Sequence, residues 1–223
     1  MDIEVASRGF DDRIRWDPAL IRKYDVAGPR YTSYPTALQF AEGFGSREYE
    51  QYLLERPPVI GPLSLYVHIP FCRNICYYCA CNKIVTRDAA VAERYIVALE
   101  KEIALLAHHH DQRRRVTQLH WGGGTPTFLS PSELTRLMHG LARHFSLIDA
   151  PEREYSIEID PRSVDTGTIA LLKGLGFNRI SMGIQDFDPQ VQRAINRIQP
   201  FDMVESLVDA VREHRFKSLS FEI

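Results

Sequence analysis

The sequence predicts an α/β fold in which about five parallel β-strands alternate with helices that cover the sheet. Two observations predict it. From residue 63 onward, short strand-like apolar runs alternate with longer amphipathic ones. The unusual residues also fall just after strand ends, where ligand sites of such folds lie. A cysteine-rich loop follows the first strand and a triple glycine follows the second. Glu158 sits near the end of the third, and Gln185 follows the fourth.

The chain divides by this reading into an N-terminal extension, residues 1–62, and an α/β portion, residues 63–223. Residues 1 to about 23 are charged and irregular. Tyr24 to Phe40 is broken by Gly28-Pro29 and Tyr34-Pro35 yet rich in aromatic residues, the composition of a strap across a core. A lid over a site is the sharper alternative, with Arg30 offered to a carboxylate. Pro57-Pro58 and Gly61-Pro62 mark a linker.

Leu63–Ile69 alternates as a strand and runs into the cysteine loop. Asp88 can cap a helix whose Ile96, Leu99, Ile103 and Leu106 form an apolar stripe. His108–His110 and Arg113–Arg115 then read as a solvated helix end rather than a metal site. Val116–Trp121 is the second strand. After it, Ser130 and Glu133 form a capping box with Pro131 at the first helical position, and Leu134, Leu137, Met138 and Leu141 face the core. Glu154–Asp160 is the third strand, and its helix closes at Gly176. Phe177–Ile184 is the fourth, Asp188-Pro189 opens a short helix, Met203–Val211 lies on another, and Phe216–Ile223 is the fifth.

Composition narrows the class of protein. With 44% hydrophobic and 25% charged residues the chain is ordinary for a globular protein, and a net charge of −2 gives no reason to expect nucleic acid. No apolar run approaches the ~18 residues of a membrane span, so no membrane partner is expected. All 4 cysteines fall within Cys72–Cys81. Reduced, clustered thiols without a targeting signal point to the cytoplasm.

Clustered thiolates repel one another unless a cation neutralises them. A disulfide framework would spread its cysteines, and a structural zinc site takes two pairs separated by a longer loop. Cys72, Cys76 and Cys79 also fit one face of a helix, so a buried stripe is the bland alternative. The remaining reading is an iron–sulfur cluster. Elsewhere, Gly122-Gly123-Gly124 reads either as a tight turn or as a place where a ligand meets bare backbone. It has neither the dinucleotide fingerprint nor the lysine of a P-loop. Glu158 is either a surface residue on an alternating strand or a carboxylate for two ribose hydroxyls. Gln185 and Arg197 are weak signals singly, and Arg197 also reads as a helix-end arginine.

The C-x3-C-x2-C spacing resembles that of radical S-adenosylmethionine (SAM) enzymes, in which three cysteines hold a [4Fe-4S] cluster and SAM binds the open iron. GPRYTSYPTA, LYVHIPFC, CACNKIVTR, HWGGGTPTFL, SIEIDPR and FNRISMGIQDF occur in one order that resembles the oxygen-independent coproporphyrinogen III oxidase family, over most of the chain from Tyr24. This resemblance implies a partial (β/α) barrel of the radical SAM type. It implies that Cys72, Cys76 and Cys79 ligate the cluster and that Cys81 is an extra, non-ligating cysteine. Tyr66, Gly123 and Glu158 would bind the cluster-bound SAM. Tyr78 (often Phe in the family), Gly124, Thr125, Gln185, Arg197 and Glu222 (more usually Asp) would contact a second SAM.

The implied reaction is oxidative decarboxylation of coproporphyrinogen III to protoporphyrinogen IX in haem synthesis. A 5′-deoxyadenosyl radical would take a β-hydrogen from each of two propionates, which lose CO2 and an electron to become vinyl groups. A one-electron donor such as a flavodoxin or ferredoxin would be the partner of a monomeric enzyme. Arg30 would meet substrate carboxylates. From residue 64 the chain has room for about five βα units at ~30 residues each, against six and a C-terminal domain in the family. A fragment inactive alone is therefore expected. A haem-trafficking relative is the alternative function, although Cys81 and GPRYTSYPTA speak for the oxidase; a structural metal-binding protein is the other.

Overall fold

The computed structural model describes residues 17–26, 36–55, 61–110 and 113–223. The chain divides into two compact units, Met1–Tyr52 and Leu53–Ile223. The first holds helix α1 (Pro18–Tyr24), a 3-10 turn at Ala37–Gln39 and the start of helix α2 (Ser46–Glu55). Two helices thus interrupt a stretch expected to be irregular, and both have local causes. Asp17 Oδ1 accepts from the N–H groups of Ala19 and Leu20 at 2.9 and 3.0 Å, and Pro18 takes a position whose N–H would lack a helical partner. At α2, the Glu48 carboxylate accepts from Gly45 N–H at 2.9 Å. Arg30 and most of GPRYTSYPTA lie outside the described residues, as do Pro57 and Pro58.

The second unit is an α/β layer. Its strands are β1 (Leu63–Ile69), β2 (Phe71–Cys72), β3 (Ile84–Val85), β4 (Arg115–Gly123), β5 (Ser146–Leu147), β6 (Glu154–Ile159), β7 (Arg179–Gly183) and β8 (Ser218–Glu222). Between them run α3 (Ala90–His108), α4 (Pro131–His144), α5 (Thr166–Gly174), α6 (Pro189–Ala194) and α7 (Phe201–Glu213). The main sheet has the order β1-β4-β6-β7-β8, with β5 on β4, and every pairing is parallel. The order never reverses. Right-handed crossovers in one direction put the helices on one face, as in a barrel wall rather than a doubly wound sheet. The described sheet is open, as a partial barrel requires.

Side-chain alternation records the same arrangement. Val67, Ile69, Leu119, Trp121, Ile157, Ile180 and Met182 belong to the buried core, packed with Ile96, Leu137, Ile169, Leu172 and Leu207 from the helices. The alternate positions of the strands are polar: Tyr66, His68, His120, Ser156, Glu158 and Ser181. The opposite face is therefore the inner wall. Helix α4 starts as expected, with Ser130 and Glu133 in a reciprocal capping box and Leu134, Leu137, Met138 and Leu141 buried. Helix α3 differs slightly at its start. Asp88 Oδ1 accepts from Ala90 N–H at 2.9 Å, but Ala89 is the capping position.

The strands β7 and β8 begin two residues later than the sequence pattern suggests, at Arg179 rather than Phe177 and at Ser218 rather than Phe216. The reason is the same at both. Helix α5 ends in a Schellman motif: Gly176 has φ +96°, its N–H donates to Lys173 O, and Phe177 N–H donates to Leu172 O. Helix α7 ends the same way, with Arg215 at φ +52°, its N–H on Arg212 O, and Phe216 N–H on Val211 O. Each aromatic closes a helix instead of opening a strand. Among the described residues, no helix is long and apolar enough to cross a membrane.

Two substitutions test this packing. Leu137→Ala should lower the unfolding free energy by about 2–5 kcal/mol. Gly176→Ala should lower it by about 1–2 kcal/mol, because an L side chain must adopt the left-handed region there. Urea melts should report both as lower midpoints at unchanged slope.

Candidate active site

The cysteine loop is closed at its base by the short parallel pair β2 and β3. Ile84 N–H donates to Pro70 O at 2.7 Å and Thr86 N–H to Cys72 O at 2.9 Å, so the loop leaves and returns at the end of β1. Gly124 and Thr125 fix it to the next strand end, donating to Ile69 O at 2.8 Å and Phe71 O at 2.9 Å. This approach explains the last glycine of the triplet. A Cβ on Gly124 would stand 2.7 Å from Pro70 O and 2.9 Å from Phe71 O, both backbone atoms.

A second brace comes from the end of α6. Asn196 has φ +56°, its N–H donates to Arg193 O, and Arg197 N–H donates to Gln192 O, a third Schellman turn. The turn aims its polar groups at the loop: Asn196 Nδ2 donates to Ile75 O at 2.7 Å, and Tyr77 N–H donates to Ile195 O at 3.1 Å. It also carries Arg197 into the interior, 8% exposed.

Cys72, Cys76 and Cys79 line one cavity, together with Thr125, Asp160, Arg162 and Arg197. All four cysteines are free thiols. Cys72 Sγ lies 3.5 Å from Thr125 Oγ1, and Cys76 Sγ accepts from Arg162 Nη2 and Arg197 Nη1, each at 3.4 Å. Among the described residues, no three His, Cys, Asp or Glu groups close on a point that would hold a single metal ion. Three soft thiol donors around one cavity instead suit a cluster, which offers a different iron to each. The residues present fit that group. The bland alternative of a buried helical stripe is set aside, since no helix forms across 72–79.

A neighbouring cavity is lined by Tyr78, Gly123, Gly124, Thr125, Glu158, Gln185, Arg197 and Glu222, with Cys79 and Cys81. Eight of the nine residues expected to meet SAM therefore share one space. The ninth, Tyr66, does not line it; the residue is 59% exposed on the inner wall, and its ring stacks on His120 at 5.7 Å. Cys81 lines this second cavity only, whereas Cys79 lines both. Gln185 has φ +72°, a strained conformation for a residue with a Cβ, and its Nε2 donates to Glu222 Oε2 at 3.3 Å. Arg197 Nε is buried without a partner. The Arg197 guanidinium as a whole lines both cavities, a cationic group at the boundary of each.

The charges respond to this crowding. Burial works to raise the Asp160 carboxyl, but the Arg162 hydrogen bond and the charges of Arg197 and Arg162 outweigh it and hold the group below its usual range. Burial pushes the Cys72 thiol up, and pushes the Tyr78 phenol up to about 12. At Cys79 burial is outweighed by hydrogen bonds from Cys81 and by Lys83, leaving the thiol below its ordinary value; Cys81 rises to about 11 through burial and the adjoining Cys79. Cys79 is thus the more readily ionised of this pair.

Several residues escaped the sequence reading. Glu158 Oε1 accepts from His120 Nε2 at 3.1 Å while Oε2 accepts from Gly123 N–H at 3.3 Å, so His120 orients the carboxylate. With Nε2 donating, His120 Nδ1 accepts from Ser156 Oγ at 2.7 Å. His68 holds Tyr66, taking its hydroxyl on Nδ1 at 2.9 Å while Nε2 donates to Asn82 O at 3.0 Å. Asp160 and Arg162 were missed too, although they follow directly on the third strand, and strand-end placement was the one signal able to find them. Asp160 is ion-paired with both Arg162 and Arg197, so Asp160→Asn should lower the unfolding free energy of the iron-free chain by about 3–5 kcal/mol in urea.

Comparison with known proteins agrees with this geometry. The Radical SAM superfamily model matches residues 66–223. Oxygen-independent coproporphyrinogen III oxidase of Pseudomonas aeruginosa is 50% identical over 212 residues, covering 95% of this chain and 46% of the relative. The protein of that name from Escherichia coli K12 is 47% identical over 215 residues, covering 95% and 45%. A solved structure described as coproporphyrinogen III oxidase (HemN) from Escherichia coli, a radical SAM enzyme, superposes with a TM-score of 0.81 at 47% identity, over 93% of this chain and 45% of that one. The chain thus spans about half the length of the curated relatives it matches. With a parallel sheet, three thiols at one strand end and a matching model over residues 66–223, the chain belongs to the radical SAM superfamily.

Proposed function

We propose that this chain is the SAM- and cluster-binding portion of an enzyme that oxidatively decarboxylates coproporphyrinogen III to protoporphyrinogen IX without oxygen. The observation that carries the reading is a pair of cavities with lining residues in common, one lined by three thiols and the other by eight of the residues expected to bind SAM. Superfamily membership implies a [4Fe-4S] cluster and SAM. Cys72, Cys76 and Cys79 would hold the cluster, and Cys81 would not. When bound, cluster and SAM supply the one-electron oxidising chemistry, and the protein's task is to bind, orient and exclude water.

The chain's own groups suit that task. Glu158 is fixed by His120 and Gly123 N–H, which leaves lone pairs on both oxygens for the two ribose hydroxyls of a cluster-bound SAM. Gly123, at φ +116°, lets that nucleoside approach the backbone, and Tyr66 flanks it from the inner wall. Gly124, Thr125, Tyr78, Gln185, Arg197 and Glu222 border the space for a second SAM, with the Arg197 guanidinium as the carboxylate partner. The polar inner wall is the surface a four-carboxylate substrate would face. A flavodoxin- or ferredoxin-type donor would deliver electrons to a cytoplasmic monomer. The domain limits of 1–62 and 63–223 follow this division of labour, with the cofactor residues all in the latter.

Anaerobic reconstitution tests the reading. The chain should take up about four irons and turn brown, and SAM should be cleaved to methionine under reductant. Cys72→Ser, Cys76→Ser and Cys79→Ser should each lose iron, whereas Cys81→Ser should keep it. Gly124→Ala should also lose iron, because its methyl would push the cysteine loop off β4. Glu158→Gln should weaken SAM binding on the order of ten- to a hundredfold, the scale of one charged hydrogen bond. Uptake of a single zinc and no iron would refute the assignment.

A further inference from the structure

Cys76 is surrounded differently from the other two thiols. Cys72 meets a hydroxyl, from Thr125, and Cys79 stands beside Cys81 and Lys83. Of these three thiols, Cys76 is the one shown receiving hydrogen bonds from guanidinium groups, and it receives two. One donor, Arg197, also borders the second cavity. The other, Arg162, borders the thiol cavity only.

Arg162 is held with little freedom. Its Nε donates to Asp160 Oδ1 at 3.0 Å and its Nη2 to Asp160 Oδ2 at 2.6 Å, a bidentate fork. Nη1 donates to Asn196 O at 3.2 Å, so the αL turn after α6 supplies the third anchor. The remaining direction of Nη2 is the one that meets Cys76 Sγ at 3.4 Å. Asp160 serves Arg197 as well, at 3.2 Å, so one part-buried carboxylate stands against two guanidiniums. The net charge of this trio beside one sulfur is positive.

A cluster gains negative charge when it is reduced. Hydrogen bonds to its sulfurs and nearby positive charge stabilise the reduced form and raise its potential. We propose that Arg162 is a positioning residue that, clamped by Asp160 and Asn196, sets the reduction potential of the cluster through its N–H on Cys76 Sγ. The inference rests on the cluster reading above. It gives Arg162 a role in how readily the donor's electron is accepted, separate from holding iron or SAM. A lysine would keep the positive charge but could not serve Asp160, Asn196 O and Cys76 at once, because its ammonium lacks the planar fork.

The test is an anaerobic redox titration of the reconstituted chain followed by electron paramagnetic resonance, with Arg162→Met and Arg162→Lys beside the unsubstituted protein. Iron content should be the same in all three. At the wild-type midpoint, the reduced-to-oxidised ratio should fall about tenfold in Arg162→Met, equivalent to ~59 mV for one electron. In Arg162→Lys it should fall by a smaller factor, which separates the lost hydrogen bond from the lost charge. If Arg162→Met does not fold, Arg162→Lys decides alone, and its midpoint must still move negative. Midpoints unchanged from wild type at full iron content overturn the inference and leave the cluster reading intact. A wild-type chain that takes up no iron overturns both.

Discussion

Parallel hydrogen bonding between β1, β4, β6, β7 and β8 is the constraint on which the site depends. The register pairs Ile69 with Gly123, Ile159 with Met182 and Gly183 with Glu222, so successive strands stop at a common level. Whatever follows each strand is then delivered to one rim. The cysteine loop, the triple glycine, Asp160, Gln185 and Glu222 are distant in sequence and adjacent in space for this reason. A slip of one residue would turn Glu158 and His120 into the helix-packed core and break the rim. The buried faces of Trp121, Ile157 and Met182 make that slip costly.

The rim is then locked by polar contacts rather than by apolar packing. The three Schellman turns do two kinds of work. Those at Gly176 and Arg215 end helices away from the rim, whereas that at Asn196 also hands a carbonyl to Arg162, an amide to Ile75 O and Arg197 to the interior. Buried charge of this sort is costly unless paired, and the pairing here is close to complete, with Asp160 meeting both guanidiniums. The unpaired exception is Nε of Arg197, a residue that lines both cavities. Groups that hold the rim together thus also line the cavities.

Much of this was legible before any coordinates. The alternation of strand and helix, the capping box at Ser130 and Glu133, the halt at Gly176 and the chemistry of clustered thiols are local, because propensity, capping and period depend on neighbours within a few residues. The later start of β7 and β8 was not legible, since Phe177 and Phe216 suit a strand as well as a helix stop and only the 6→1 hydrogen bonds decide between them. Helices α1 and α2 were hidden in the opposite way, by surroundings whose prolines and glycines read as irregular.

The sequence by itself determined three cysteines at fixed spacing, a run of glycines and the order of strands that brings both to one edge. Tertiary structure alone decided how those residues are served. Arg162 and Arg197 reach Cys76 across 86 and 121 positions, and His120 reaches Glu158 across 38. No local pattern encodes such contacts, because they arise only when parallel register and the turn after α6 bring separate chain segments within hydrogen-bond distance.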